Sequence, residues 1–493
     1  MNFPGWWRKI SIYERILVLL FIVSLPLVNP WVRGDGVGYY AYARALVVDR
    51  NLQFEPDWLH ANPSFRDGRV DADGRIRADE YTSTGHLDNH FTIGPALIWM
   101  PFLTAAHAIV LGANRLGARI PADGFSWPYL DTMAIVTAVA GFIGLLISFR
   151  LAQKYFPARW AFLATLGIWF ASSLPVYMYF NPSWSHAQSA FVVALFLWYW
   201  DRTRNERTLR QGVVLGLIGG LMMDMYYPNA IFLLVLVVEF AIGLAKRAKS
   251  EALGASYAKH LIGLYAAFAG ALVLAFSPTL ITRRIIFGSF FATGYTEIGA
   301  WSLKNPLWGR VLFSADHGLF SWTPILLLAS AGLLFLWRRN RTLGGALALS
   351  AGAFYFLIAT YPDWDGISSY GNRFFVSLTP IFVLGLAAFL AAYEQLWRKR
   401  AGAVSSAIAV LGLLIAWNFG LIYQWGMHLI PDRGSISWDE MVSNQFRVVP
   451  ADFSESLTRY FTGRHELMRQ IENRDLRQLG EEQPSAKGPM VEK

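Results

Sequence analysis

The sequence predicts an all-α polytopic membrane protein with about eleven transmembrane helices, a large first extracytoplasmic loop and a short helical C-terminal tail. Three observations carry this. Of the 493 residues, 54% are hydrophobic and 16% charged, against about 25% charged in a soluble globular chain. Apolar stretches long enough to cross a bilayer recur at 14–30, 128–152, 158–179, 184–201, 211–225, 227–245, 260–286, 319–337, 343–361, 374–396 and 402–423. Short basic clusters separate them, and consecutive clusters enclose two spans each.

The N-terminus carries Arg8, Lys9 and Arg15. No small-residue cleavage site follows the first apolar run, so it reads as an uncleaved helix that starts in the cytoplasm. That run, Ile16 to Val28, stops at Asn29-Pro30, and Trp31-Val32-Arg33-Gly34-Asp35-Gly36-Val37-Gly38-Tyr39-Tyr40 follows at once. Ionised groups at a membrane exit are costly, which makes Asp35 a functional candidate by default. Asp35 also suits the cap of a helix starting near Val37, and capping does not exclude catalysis.

About sixty polar residues come next, far more than an ordinary connection needs. They open a first extracytoplasmic loop spanning 31–127. Arg66-Asp67-Gly68-Arg69 and Asp71-Ala72-Asp73-Gly74-Arg75 read as turns of a polar hairpin. A calcium loop would need further ligands that the pattern lacks. The stretch 91–113 is apolar, but counting it as a crossing would put every later basic cluster outside. Those clusters are Arg150/Lys154/Arg159, Arg202/Arg204/Arg207/Arg210, Lys246/Arg247/Lys249, Arg338/Arg339/Arg341 and Arg398/Lys399/Arg400. With Gly94, Pro95 and Pro101 punctuating it, 91–113 reads as a broken or re-entrant helix that does not cross. The transmembrane domain then covers 1–425. Residues 426–479 read as short amphipathic helices on or near the outer membrane surface. The polar end, 480–493, reads as disordered.

Composition also excludes several chemistries. With no cysteine, disulfides, thiolate nucleophiles and cysteine metal sites are absent together. The net charge of +9 is spread over inside loops, so nucleic acid is not an expected partner. No phosphate-binding Gly-Lys-Ser/Thr loop, His-Glu-x-x-His, Gly-x-Ser-x-Gly or dinucleotide fingerprint occurs. No segment suits the α/β domain of a soluble nucleotide-sugar enzyme.

The unusual polar residues gather on the outer loops: Asp35 and His90 in the first, His186 in the second, Asp224 and Tyr227 in the third. The fourth holds Tyr295, Glu297, Lys304 and His317; the fifth holds Asp365 and Arg373. Arginine and lysine hold phosphate, rings stack on sugars, and a carboxylate serves as general base. Such a set suits an anionic, sugar-bearing lipid. His186 and His317 also suit interfacial caps, Arg373 suits interfacial snorkelling, and Trp322 and Trp364 suit membrane-belt anchors.

An Asp just after the first span, a Gly-Pro-containing helix returning to the membrane and many hairpin-paired spans resemble the C-type (GT-C) integral-membrane glycosyltransferases. The nearest branch is that of aminoarabinose transferases and protein O-mannosyltransferases. Asp35 matches the superfamily's acidic first-loop position. Asn89-His90-Phe91-Thr92-Ile93-Gly94-Pro95 resembles the segment where relatives carry a Lys before a Pro-containing, non-crossing helix. His317-Gly318-Leu319-Phe320-Ser321-Trp322-Thr323-Pro324 and Trp364-Asp365-Gly366 through Arg373-Phe374 resemble further stretches of the group.

The resemblance implies a GT-C fold and sugar transfer from a polyprenyl-phosphate donor to a lipid, glycan or protein acceptor. The reaction would run at the periplasmic face of a bacterial inner membrane. Asp35 would be the general base. Arg373 would hold the leaving phosphate with His90, His186 or Lys304, and Arg33, Tyr39, Tyr227, His317 and Asp365 complete the expected substrate site. No nucleotide is needed, no cofactor follows with certainty, and a divalent metal is left open. Gly36 stands where relatives carry Glu, and Ser185-His186-Ala187 where they often place an Asp, so His186 would substitute as ligand or hydrogen-bond donor.

Two other classes are weighed. A transporter or flippase of lipid-linked saccharide would place ionisable groups near mid-membrane in corresponding halves, whereas Asp131 and Glu239 lie near span ends. A polysaccharide polymerase or ligase tends to place its chemistry on a large late loop, and here the large loop comes first.

Overall fold

The computed structural model describes residues 11–204, 206–249, 255–292, 294, 301–397 and 400–482. The helices are α1 (Ile12–Ser24), α2 (Asp35–Arg44), α3 (Glu55–His60), α4 (Pro63–Arg66), α5 (Gly94–Arg115), α6 (Trp127–Gln153), α7 (Ala158–Phe170), α8 (His186–Thr203), α9 (Leu209–Met225) and α10 (Leu234–Lys249). They continue with α11 (Ala255–Phe287), α12 (Trp308–Phe313), α13 (Leu319–Trp322), α14 (Ile325–Arg339), α15 (Arg341–Thr360), α16 (Thr379–Gln395), α17 (Arg400–Gly426), α18 (Trp438–Thr462) and α19 (Arg464–Glu482). The described residues hold no strand, only two isolated bridges, Val70 with Ile76 and Tyr81 with Leu87. Each apolar stretch of the sequence is helical along most of its length. Among the described residues seven helices, α5 included, are long and apolar enough to cross a membrane, and the protein is a multi-pass membrane protein.

Local signals start these helices. Ser11 and Glu14 form a reciprocal capping box on α1, and Thr208 with Gln211 does the same for α9, each contributing about 1 kcal/mol. Small residues then decide the packing. Gly216 and Gly220 lie one turn apart on the α9 face against α11. A Cβ on either would stand 2.3 or 2.4 Å from the carbonyl oxygens of Phe268 and Leu272. Glycine therefore lets the two backbones touch, as small residues do between membrane helices.

Charge sorts the two ends of the bundle. At one end Arg150 pairs with Glu14 at 2.7 Å, Lys154 with Asp201 at 2.7 Å, Arg159 with Glu394 at 2.6 Å and Arg207 with Glu239 at 3.1 Å. Arg339 lies over the Phe156 ring. The basic clusters at 150–159, 202–210 and 338–341 thus share one end with the start of α1. Arg398 and Lys399 lie outside the described residues, as do Arg8, Lys9, Tyr295 and Glu297.

The segment expected to be broken is one continuous 22-residue helix, α5. Pro95 sits in its first turn, where no backbone donor is needed, and Pro101 is carried inside it without ending it. Trp99 Nε1 donates to Thr137 Oγ1 at 2.9 Å and His107 Nδ1 meets the Tyr129 hydroxyl at 2.7 Å. Both partners are in the first half of α6. The start of α5 touches the last turn of α9, where a Cβ on Gly94 would lie 2.3 Å from the Asp224 carbonyl.

The helices of the tail are longer than expected. α18 has 25 residues and α19 has 19, and α19 folds back over the first loop. Glu472 accepts from Ser64 N at 2.6 Å and from Asn62 Nδ2 at 3.0 Å. Arg464 donates to the carbonyls of Val28 and Pro26. Two carbonyls of the turn that follows α1 are thereby given donors. α19 continues to Glu482, and residues 483–493 lie outside the described residues.

Candidate active site

Asp35 opens α2, at the helix end that favours a carboxylate. Gly34 before it takes φ +52°, and its Cα faces the Trp184 ring. A Cβ on Gly36 would lie 2.0 Å from Ser183 Oγ, and one on Gly38 would lie 2.0 Å from the Phe91 ring. α2 is therefore pressed against the loop that precedes α8 and against the residues that lead into α5. No second acid fits at position 36, which accounts for glycine there.

Arg373 comes from the opposite end of the sequence, just ahead of α16. Its Nη1 donates to Asp35 Oδ2 at 2.6 Å, and its guanidinium lies 4.4 Å from the Trp184 ring centre. Its side chain is 10% exposed and that of Asp35 29%. Arg373 Nε has no hydrogen-bond partner, so the guanidinium retains donors for a further anion. Trp184 is itself fixed by donating Nε1 to the Arg33 carbonyl at 3.0 Å.

A cavity of about 500 Å³ opens over this pair. Asp35, Arg373, Arg33, Arg69, His90 and Trp184 line its polar end, and the rest is lined by residues of α17, α18 and α19, by Leu27, Phe65 and Phe180, and by the 427–433 segment with His428, Asp432 and Arg433. Arg33 pairs with Asp475 of α19 at 2.5 Å, and His428 Nε2 meets the other oxygen of Asp475 at 2.7 Å. Arg69 donates to the Phe65 carbonyl at 2.7 Å and stands 3.4 Å from Glu80. Burial pushes the His90 pKa down, against the pull of Asp88 and Asp35, which favours its neutral form.

Of the expected site residues, Asp35, Arg33, His90 and Arg373 meet in this cavity. The others are placed differently. His186 is buried behind Trp184, its ring edge-on to Tyr177 at 4.7 Å. Tyr39 is buried against Phe91. The Tyr227 hydroxyl accepts from Arg283 Nε at 2.8 Å. Lys304 is exposed and is not part of the lining. His317 is fully buried, and its Nδ1 donates to the Asp365 carbonyl at 3.0 Å. Burial pushes its pKa down to about 4, so its imidazole is neutral near pH 7.

Three further side chains at or beside the cavity were not expected from the sequence. Arg69 looked like a hairpin-turn arginine, yet the hairpin folds it into the cavity. Asp475 lay in a charged tail with no local signal. Arg283 had one: an arginine at the end of an apolar span is costly unless partnered. It is 1% exposed and donates to the carbonyls of Asn89, His90 and Phe91, so it ties His90 to α11. The remainder of the first loop is held by Arg44, which clasps Asp57 at 2.6 Å and Asp49 at 2.6 Å. Burial raises the Asp57 pKa to about 6 despite that clasp.

The residues around Asp35 do not suit a divalent cation. Its carboxylate already faces a guanidinium, no second carboxylate among the described residues joins it in a metal-ligand cluster, and Asp224 is turned to Thr279 Oγ1 at 2.5 Å. The donor set of Asp316, His317 and Asp365 is better suited, two carboxylates and a neutral imidazole with ligand atoms within 4.8 Å of one another. Asp316 Oδ1 there has no hydrogen-bond partner.

No protein-family model matches the chain, and no curated protein sequence does. Several solved structures are similar in backbone course. One is the archaeal oligosaccharyltransferase AglB from Archaeoglobus fulgidus, in complex with an inhibitory peptide and a dolichol-phosphate. It is 13% identical, with a TM-score of 0.49 over 88% of this chain and 57% of that one. A second is ArnT from Cupriavidus metallidurans bound to undecaprenyl phosphate, 13% identical, TM-score 0.43, over 85% of this chain and 71% of that one. A third is the arabinosyltransferase EmbB from Mycobacterium smegmatis, 14% identical, TM-score 0.45, over 96% of this chain and 40% of that one. The chain thus spans little more than half the length of AglB.

Proposed function

We propose that the protein is a membrane glycosyltransferase that moves a sugar from a polyprenyl-phosphate donor to an acceptor hydroxyl. The observation that carries this is the Asp35–Arg373 pair, set at the polar end of a cavity that becomes apolar away from it. An acidic base and a phosphate-binding cation side by side, continuous with an apolar chamber, fit a lipid phosphate that carries a sugar.

In this reading the acceptor oxygen attacks the anomeric carbon, the bond from that carbon to the phosphate oxygen breaks, and the phosphate leaves with the electron pair. Asp35 accepts the hydroxyl proton. Arg373 stabilises the charge growing on the phosphate, held in plane by the Trp184 ring. The phosphate draws Arg373 away from Asp35 and so frees the carboxylate to act as base. Arg33, Arg69 and His90 extend the polar wall around the phosphate.

The topology belongs to the same reading. The basic end of the bundle faces the cytoplasm, the cavity faces the periplasm of a bacterial inner membrane, and α5 lies beside the outer half of α6 without crossing. That leaves eleven crossings, with 1–425 as the transmembrane domain and the tail outside. The acceptor is a lipid, glycan or protein.

The test is reconstitution of the purified protein in liposomes with polyprenyl-phosphate-linked sugars and detection of free polyprenyl phosphate. Release that depends on both protein and acceptor supports the reading. Acceptor-driven movement of intact donor across the bilayer, without release, makes the protein a transporter instead.

A further inference from the structure

The cavity is not closed by the transmembrane helices alone. Beyond the polar end its wall is made by Phe419 and Ile422 of α17, Phe453 and Leu457 of α18, and Leu467 and Ile471 of α19. Two of the three elements thus belong to the C-terminal tail. They are tied to the site by side chains that themselves line it: Tyr460 donates to the Leu27 carbonyl at 2.6 Å, and Asp475 pairs with Arg33 at 2.5 Å. Tyr423 of α17 meets Ser456 of α18 at 2.9 Å across the seam.

The faces of α18 divide the work. Trp438, Val442, Phe446 and Phe461 are exposed apolar residues that are not part of the lining, an outward stripe suited to an acyl environment. Phe453 and Leu457 line the cavity and are still 38% and 37% exposed. The chamber is therefore lined mainly by apolar side chains along the α17–α18 seam, with Tyr423 and Ser456 its polar members there, while Arg33, Arg69, Arg373 and Arg433 are the arginines of its lining. An occupant that matches both ends is an amphiphile with an anionic head and a long hydrocarbon chain.

We propose that the C-terminal α18–α19 hairpin is the chain-selecting wall of the donor site. It takes the isoprenoid chain along Phe453, Leu457 and Ile471 while the phosphate rests at Arg373. This rests on the proposed lipid-phosphate donor. The tail is thereby a specificity element of the enzyme, and donor chain length is read by the seam and not by the polar end.

The experiment measures binding of undecaprenyl phosphate and of ten-carbon geranyl phosphate to the full-length protein in detergent. Wild type is compared with Leu457→Trp, Ile471→Trp and, as control, Phe446→Ala. Leu457→Trp and Ile471→Trp should weaken undecaprenyl phosphate at least about tenfold and change geranyl phosphate less than about twofold, a tenfold step being about 1.4 kcal/mol. Phe446→Ala, whose side chain lies on the outward stripe, should change neither. Equal weakening of both ligands, no weakening of either, or an equal effect of Phe446→Ala overturns the proposal. If wild type binds neither lipid phosphate, the donor reading itself fails. Thermal unfolding of each variant within a few degrees of wild type assigns the binding changes to the wall.

Discussion

Arg373 Nη1 lies 2.6 Å from Asp35 Oδ2 across 338 positions of sequence, and this contact joins the segment after α1 to the segment ahead of α16. The carboxylate comes from the exit of the first span, the guanidinium from the entry of the most buried one. Trp184 of the second loop supplies the surface on which the guanidinium lies. Three loops therefore have to fold correctly before the pair exists.

Arg373 should not be replaceable by lysine. A lysine keeps the charge but loses the planar fork and its stacking on Trp184. Arg373→Ala should lower sugar transfer by roughly 10²–10³-fold, the usual consequence of losing a group that stabilises the developing charge. Arg373→Lys should recover only part of that loss, and Trp184→Ala should cost about 1 kcal/mol of transition-state stabilisation. Steady-state kinetics with a labelled donor measures all three.

Gly36 should tolerate no side chain. Its added Cβ would sit 2.0 Å from Ser183 Oγ and 2.6 Å from Ser183 Cβ, so even alanine forces the second loop away from α2. Gly36→Ala should destabilise the protein by about 1–3 kcal/mol. Gly36→Ala combined with Ser183→Gly should recover much of the loss. Melting temperature in detergent reads both.

His317 predicts a pH dependence of stability. Its folded pKa of about 4 lies below the unfolded value near 6.5, so the unfolded chain binds more protons between those values. Stability therefore rises with pH across roughly pH 4 to 6.5 and is lost as pH falls through that window, by up to about 3 kcal/mol. His317→Asn should flatten the dependence, because its amide keeps a donor for the Asp365 carbonyl and does not titrate. Unfolding monitored from pH 4 to 7.5 tests the difference in slope.

The absence of cysteine makes topology directly measurable. Leu116, just beyond α5, is 90% exposed, and Arg202 belongs to the basic end. A single cysteine at Leu116 should react with a membrane-impermeant maleimide added to the periplasmic side. One at Arg202 should react only after permeabilisation. Labelling of Leu116→Cys from the cytoplasmic side alone would make α5 a crossing helix.

Spans were legible because a bilayer demands about twenty apolar residues whatever the fold, so the run from Ile16 to Val28 forms α1 and the turn after it. The gathering of Asp35, His90 and Arg373 was legible for a related reason, since an ionised side chain at a membrane exit needs a partner. Placement within the outer layer was not. His186 and Tyr227 occupy loops as suggestive as that of Arg373, but packing of Trp184 and Arg283 turns them into support. Arg69 and Asp475 reach the cavity only through the fold of a long loop and a tail, and hydropathy carries no signal for that. Pro101 was expected to break a helix that its neighbours hold together.

The most direct measurement of the central claim is transfer of labelled sugar from polyprenyl phosphate by purified wild type and Asp35→Asn, with undecaprenyl phosphate binding measured on both. Loss of the base should lower transfer by roughly 10²–10⁴-fold while the lipid phosphate still binds. Equal turnover by the two proteins would remove Asp35 from the mechanism.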